Sequence, residues 1–170
     1  GIPNGSPCLH QVESDDFRHP IGTIAGDHIL LDTLSALYAE INVKIRHADT
    51  LRIQEAFKQA LGDKRGIARF ADRVVPMDEC AAMVALDISG RPYLNFEDKL
   101  AGKVGDFDAE LVEEFFRAFS IHAGVNLYIK LLKGGNMHHE AEAIFKAFAK
   151  CVQDAVKIVS DEVPSSKGVL

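Results

Sequence analysis

Apolar and polar residues follow two different periods along the chain. Apolar residues recur every three or four positions in four stretches, which predicts helices over about residues 27–37, 50–61, 109–124 and 136–159. Alternating or continuously apolar runs predict strands over residues 41–45, 73–76, 81–88, 93–96 and 125–132. The helices are too few for a doubly wound sheet. We therefore predict an α+β fold with helices on one face of a mostly antiparallel sheet.

A weak internal similarity hints at two related halves. The predicted strand and helix of residues 41–61 are similar to those of residues 125–156, and each pair contains an Ala-Phe-Lys-like run. Similarity of this strength does not establish a repeat. The helix over residues 50–61 is predicted to end at Gly62 in a left-handed turn.

The composition suits one compact domain or two half-size repeats that share a core. The chain has 170 residues, 47% of them hydrophobic and 26% charged, with a net charge of −6 and a pI of about 5.6. This acidic balance argues against nucleic-acid binding, which needs a basic patch. No run reaches the roughly 18 apolar residues of a membrane span, and no signal peptide is visible. Cys8, Cys80 and Cys151 are scattered and odd in number, as expected of reduced thiols, so we predict a cytoplasmic protein.

Two adjacent histidines, His138 and His139, lie at the start of the last predicted helix, after a Gly-Gly-Asn turn. Glu142 comes four residues after His138 and three after His139, so all three side chains share one helical face. Imidazole and carboxylate groups together bind borderline divalent metals such as Zn, Mn, Fe or Ni. The same residues could instead cap an exposed helix, and the spacing alone leaves both interpretations open.

The other polar candidates are weaker when each is taken alone. The cations Lys64 and Arg65 follow the predicted end of the second helix and are interpreted as solvated surface. His122 lies near the end of the third helix, where it is interpreted as a partner of the helix dipole rather than a ligand.

Five motifs in order and spacing carry a resemblance to a known family. They are residues 76–79, 87–93, 105–116, 136–147 and 164–169. From about Phe57 to Leu170 the chain resembles imidazoleglycerol-phosphate dehydratase of histidine biosynthesis, in its bacterial form. The resemblance implies two similar α+β halves, of the kind seen in ribosomal protein S5 domain 2, here residues 1–75 and 76–170. It also implies self-association into a cage of twenty-four identical subunits with active sites where subunits meet.

The family's activity is the Mn-dependent loss of water from imidazoleglycerol phosphate, which gives imidazole acetol phosphate. Two Mn²⁺ per active site bind the imidazole and stabilise an imidazolate-like intermediate, since a cationic metal stabilises developing negative charge. Matching positions imply metal ligands at His28, His138, His139 and Glu142, with His47 as a further candidate, and catalytic roles for Glu142 and His138. They imply that the substrate phosphate binds Arg69, Arg91, Ser166 and Lys167, because guanidinium forks and hydroxyls suit a phosphate dianion.

The chain departs from the family pattern at three places. Between the strand of residues 41–45 and the next helix, about ten residues with the first His-His-x-x-Glu motif are missing, and only His47 and Asp49 remain. Tyr128 stands where the family has a metal-binding histidine, and residues 1–26 do not follow the family's first strands. The chain is then either a shortened member, or the sequence omits a stretch of a normal enzyme.

These departures leave an alternative to the dehydratase. A non-catalytic or impaired member could serve as a metal-binding assembly scaffold, and a metal count per subunit would separate the two. An unrelated metal hydrolase would need a general base beside His138, and the arginines and the Ser-Ser-Lys tail argue against it.

Overall fold

The computed structural model describes residues 57–165. The helix and strand predicted over residues 27–37 and 41–45 lie outside this range. Residues 57–61 are helical and a turn follows in which Gly62 has a φ of 51°, so the predicted left-handed end of the second helix is confirmed. The division into halves at residues 75 and 76 stays a prediction.

A four-stranded sheet forms the centre of the described region. Its strands in chain order are β1 (Phe70–Met77), β2 (Cys80–Asp87), β3 (Tyr93–Phe96) and β6 (Asn126–Lys133), and a small hairpin of β4 (Lys103–Val104) and β5 (Phe107–Asp108) stands apart. The order across the sheet is β1-β2-β6-β3. Both β1–β2 and β2–β6 are antiparallel, whereas β3 and β6 are parallel. The predicted mostly antiparallel α+β fold is therefore confirmed.

Two helices, α1 (Leu111–Ala123) and α2 (Met137–Ala155), cover one face of this sheet. Buried and half-buried residues alternate along β2, and Val84, like Leu127 and Ile129 of β6, belongs to the same core as both helices. The other face is more open, since Phe70 and Val74 are 61% and 54% exposed. This alternation is the period-2 pattern of a sheet with one covered face.

Aromatic side chains fill the contact between the helices. Phe116 of α1 lies with its ring centre 5.0 Å from that of Phe145, and Phe119 lies 5.0 Å from Phe148. Rings at this separation are in direct contact, and each buried ring adds a large apolar area. The predicted apolar stripe of α1 is thus confirmed at its centre.

Leu111 and Ile121 are apolar residues of the same predicted helix but lie outside this contact, since they are 45% and 57% exposed. Leu111 opens the helix. Ile121 follows Phe119 by two positions, roughly 200° around the helix, so it faces away from the core.

Helix α2 ends four residues earlier than predicted, at Ala155 instead of about Val159. The chain then turns and runs beside residues 66–69, where Ala68 N–H donates to the Lys157 carbonyl and Val159 N–H to that of Gly66, at 2.8 and 2.7 Å. Ile158 and Val159 kept the apolar spacing of a helix, but they are 70% and 67% exposed in this extended segment. The apolar pattern alone could not reveal the change.

Two further sequence predictions concern membranes and thiols. Within residues 57–165, none of the helices has both the length and the apolar character needed to cross a membrane. Cys80 and Cys151 are free and buried, as predicted for reduced thiols, and burial raises the pKa of Cys151 to about 12. Cys8 lies outside the described range.

Candidate active site

Asn136 fixes the start of α2 and with it the two histidines. Its backbone is extended, and its side-chain oxygen accepts a hydrogen bond of 2.9 Å from the His138 N–H, as an N-cap residue does. The histidines therefore occupy the first turn of the helix. The capping function predicted as an alternative exists, but Asn136 performs it.

Glu142 lies one turn further along the same helical face. It is buried, and its Oε2 is 3.6 Å from His138 Nε2. Its other oxygen lies 2.6 Å from the ammonium of Lys146, which also reaches the Met77 sulfur at 3.5 Å. The predicted grouping of His138 with Glu142 is therefore present in the structure.

The turn between β1 and β2 brings two carboxylates to the histidines. Glu79 Oε2 is 3.0 Å from His139 Nδ1, and Asp78 Oδ2 is 3.6 Å from His139 Nε2. One ligand atom each from Asp78, Glu79 and His139 lie within 4.8 Å of one another. Neither carboxylate was predicted as a site residue, although two adjacent acidic residues between two predicted strands were the available signal.

Hydrogen bonds shift the pKa of both members of the Glu79–His139 pair. The N–H of Asn136 donates to Glu79 Oε1 at 2.6 Å and, with the backbone of Glu79 itself and His139, lowers the pKa of Glu79 to about 2. The hydrogen bond to Glu79 raises the pKa of His139. The negative charge of Glu79 and the positive charge of protonated His139 thus stabilise each other.

The donor set suits a divalent cation. Carboxylate oxygens and imidazole nitrogens together accept Mn²⁺ and similar ions, whereas a soft metal would prefer thiolates. In the described part of the chain, Asp78, Glu79 and His139 converge, with His138 and Glu142 on the neighbouring helical face. The other two predicted ligands, His28 and His47, lie outside the described residues.

Arg69 lies at the opposite end of the sheet and is firmly held. Its Nε and Nη2 donate to the two carboxylate oxygens of Asp87 at 2.7 and 3.2 Å, and its Nη1 donates to the Pro164 carbonyl at 2.9 Å. Burial and then the charge of Arg69 lower the pKa of Lys64. Lys64 is half-buried, so it is less solvated than the prediction of a surface cation implied.

Arg91 lies in the turn before β3, at the same end of the sheet as Arg69 but beside the opposite edge strand. The pairing shows this, because Tyr93 at the start of β3 pairs with Asn126, and Asn126 pairs with Asp87. Its side chain is exposed, and its guanidinium makes no hydrogen bond or ion pair within residues 57–165. Ser166 and Lys167 lie outside the described range, although they follow Pro164 by only two and three residues.

Tyr128, predicted to stand where the family has a metal-binding histidine, contacts Glu97, which also pairs with Lys130. Its hydroxyl donates to Glu97, whose other oxygen is 2.6 Å from the ammonium of Lys130. The hydrogen bond to Glu97 raises the pKa of Tyr128, so the phenol keeps its proton. That Tyr128 is a weak replacement for a metal ligand stays a prediction.

Two groups of residues therefore occupy opposite ends of the sheet. We call them the histidine end (Asp78, Glu79, His138, His139 and Glu142) and the arginine end (Arg69, Asp87, Arg91 and Pro164). Seven residue steps along β1 separate the pair Phe70–Asp87 from the pair Met77–Cys80, which is about 23 Å along the strands.

The helix gives the same separation of the two ends. Arg69 N–H donates to the Ala155 carbonyl, and the rise from His139 to Ala155 is about 24 Å. The histidine end and the arginine end of one chain therefore lie more than 20 Å apart by either estimate.

Comparison with known proteins defines the class. A family model described as imidazoleglycerol-phosphate dehydratase matches residues 31–152. An imidazoleglycerol-phosphate dehydratase from Caldicellulosiruptor saccharolyticus is 43% identical over 171 residues, covering 91% of this chain and 87% of the relative. One from Carboxydothermus hydrogenoformans is 51% identical over 124 residues, covering 71% and 63%.

A solved structure agrees with these relatives. The crystal structure of imidazoleglycerol-phosphate dehydratase from Staphylococcus aureus superposes with a TM-score of 0.64 at 38% identity and covers 84% of this chain and 90% of that one. These relatives support a dehydratase, that is, a carbon–oxygen lyase. The chain belongs to the imidazoleglycerol-phosphate dehydratase family.

The alignment to the Caldicellulosiruptor relative also bears on the predicted shortening. It extends over 171 positions although it covers only 91% of a 170-residue chain. Residues of that relative consequently have no counterpart here, as expected if a stretch is missing.

Proposed function

We propose that this chain removes water from imidazoleglycerol phosphate to give imidazole acetol phosphate, with Mn²⁺, in histidine biosynthesis. The observation that carries the proposal is the meeting of His139 with the carboxylates of the β1–β2 turn, beside the contact of His138 with Glu142 on the same helix. It occurs in a chain whose relatives carry the name of this activity. We expect the reaction to take place in the cytoplasm.

The histidine end would hold the metal and the imidazole of the substrate. A bound Mn²⁺ supplies positive charge that stabilises the electron-rich ring. Loss of water also requires one proton to leave carbon and another to reach the departing hydroxyl. We assign these transfers to Glu142 and His138, whose facing atoms are 3.6 Å apart.

The arginine end would hold the phosphate. Arg69 uses three of its five N–H groups on Asp87 and Pro164, which leaves two for a phosphate. The bond to Pro164 also supports the predicted roles of Ser166 and Lys167, because it anchors the tail just before them. Arg91 adds an exposed guanidinium at the same end of the sheet.

The separation of the two ends favours self-association. A five-membered ring joined to a three-carbon phosphate spans less than half of the roughly 23 Å between them. The described residues of one chain therefore do not reach both parts of one substrate molecule. We propose that the histidine end of one subunit meets the arginine end of another, within a cage of twenty-four subunits.

A metal-binding assembly scaffold with impaired catalysis is the second candidate. Tyr128 favours it, because the phenol is already bonded to Glu97 and keeps its proton. A protein with one poor ligand position would bind fewer than two Mn²⁺ per active site.

Product formation tests the first proposal against the second. The full chain is incubated with imidazoleglycerol phosphate and Mn²⁺, and imidazole acetol phosphate is measured together with the Mn content of the protein. We expect product and two Mn²⁺ per active site. Bound Mn²⁺ without product would overturn the dehydratase in favour of the scaffold, and neither product nor bound metal would overturn both.

A further inference from the structure

Two glycines before α2 leave room for two carboxylates to lie against the backbone. A Cβ on Gly135 would meet Glu79 Cγ at 2.5 Å and Oε1 at 2.6 Å. A Cβ on Gly134 would meet Glu140 Oε1 at 2.6 Å instead. These separations are shorter than van der Waals contact, so a side chain at either position would displace its carboxylate. The loop is therefore shaped to admit Glu79 on one residue and Glu140 on the next.

Glu79 uses this space to join the β1–β2 turn to the start of α2. One carboxylate oxygen accepts from the Asn136 N–H at 2.6 Å, and the other faces His139 Nδ1 at 3.0 Å. The contact with Asn136 holds the carboxylate in place. Its second oxygen consequently has a defined direction toward the imidazole ring.

A carboxylate at Nδ1 determines which nitrogen of the ring is free. A neutral imidazole that donates Nδ1–H to a carboxylate carries its lone pair on Nε2. In many metal sites such an outer carboxylate orients the ligating histidine and increases its basicity. His139 Nε2 faces Asp78 Oδ2 at 3.6 Å, a separation that two ligands of one cation can have.

We propose that Glu79 is a positioning residue that fixes the tautomer and the ring orientation of His139, so that Nε2 is presented to the metal. The inference rests on the proposed metal-dependent function but concerns a property of the metal-free chain. Gly135 is part of the same device, because its missing side chain lets Glu79 reach Asn136 and His139.

Substitutions of Glu79 test its two hydrogen bonds. Glu79→Ala removes both acceptor oxygens and is expected to lower Mn²⁺ affinity by about 10- to 100-fold. Glu79→Gln has one acceptor oxygen for two donors, the Asn136 N–H and the His139 Nδ1–H, so it should lose part of the Nδ1–H tautomer and part of the affinity. An affinity and a tautomer in Glu79→Ala equal to those of the parent chain would contradict the proposal.

The glycines supply a matched pair in which no polar group is removed. Gly135→Ala should displace the flexible end of Glu79 and weaken Mn²⁺ binding, whereas Gly134→Ala should displace Glu140 and leave binding unchanged. Unfolding temperatures of both variants show that each is folded. Equal effects of the two substitutions would overturn the role of Glu79.

The decisive experiment records ¹⁵N–¹H spectra of the His139 ring in the metal-free full chain, at a pH high enough to leave the imidazole uncharged. We expect the proton on Nδ1 in the parent chain, a mixture of the two tautomers in Glu79→Gln, and loss of the Nδ1–H preference in Glu79→Ala and Gly135→Ala. A proton on Nε2 in the parent chain would overturn the proposal. Because no metal or substrate is present, this outcome is independent of whether the chain is a dehydratase.

Discussion

The two ends of the sheet differ in how the chain builds them. The histidine end comes from one helix start and one hairpin turn, and all of its residues except the buried Glu142 remain partly exposed, with Glu79 and His139 side chains at 43% and 26%. The arginine end joins residues far apart in sequence, with Arg69 and Asp87 at 14% and 21%, and ties down Pro164. The first end is therefore suited to accept ligands, whereas the second also holds the fold together.

The largest expected effect is at the histidine end. Glu142→Gln removes the buried carboxylate that faces His138 and should lower kcat by about 10²- to 10⁴-fold, the usual contribution of acid–base groups. Steady-state kinetics with saturating Mn²⁺ measure it. Glu140→Gln changes a carboxylate of the same helical turn that bonds the Gly135 N–H, and it should retain the activity of the parent chain.

An intermediate effect is expected at the arginine end, on binding rather than turnover. Arg91→Ala removes an exposed guanidinium and should raise KM by roughly 10- to 100-fold, as the loss of hydrogen bonds between charged groups predicts. Arg117→Ala removes a guanidinium that pairs with Glu113 on α1 and serves as the control. A large fall in kcat with unchanged KM for Arg91→Ala would assign it to the chemistry and not to the phosphate.

Stability separates the two ends further. Arg69→Ala leaves Asp87 without its bidentate partner and frees Pro164, so the free energy of unfolding should fall by about 1–3 kcal/mol. His139→Ala should change it little, because its contacts are partly exposed. Urea unfolding of the metal-free protein measures both. Equal losses would show that the histidine end is as structural as the arginine end.

The smallest effect is a pH dependence of the Glu79–His139 pair. The lowered pKa of Glu79 adds stability that is present above its ordinary value of 4.5 and lost as pH falls toward 2. The raised pKa of His139 adds stability that is present below 6.5 and lost as pH rises through the raised value. A double-mutant cycle with chelator present should find the coupling greatest between pH 4.5 and 6.5, and a coupling that rises above this window would contradict the assignment.

The same contrast explains what the sequence could reveal. His138 and Glu142 were predictable because helical spacing alone puts them on one face. Asp78 and Glu79 were not assigned, because their contact with His139 spans 60 positions and depends on how the hairpin lies against the helix. The central strands and both helices followed from apolar period.

The arginine end shows the limit of such patterns. Arg69 was predicted as a phosphate-binding residue from the resemblance to the family. Its hydrogen bonds to Asp87 and Pro164 arise from the fold, in which the segment after α2 runs beside residues 66–69. The end of α2 was mispredicted for the same reason. Ile158 and Val159 continue the apolar spacing, and only the competing backbone bonds to residues 66–69 end the helix at Ala155.

A site completed by two subunits is tested most directly by mixing two impaired variants and assaying them at a substrate concentration below the KM of the parent chain. His139→Ala disables the histidine end and Arg91→Ala impairs the arginine end, and the two are unfolded together and refolded at equal amounts. If each site takes one end from each of two subunits, random assembly restores about a quarter of the sites. We predict this recovery of imidazole acetol phosphate formation in the mixture. A mixture no more active than the average of its separate variants, beside an active parent chain, would contradict the shared site.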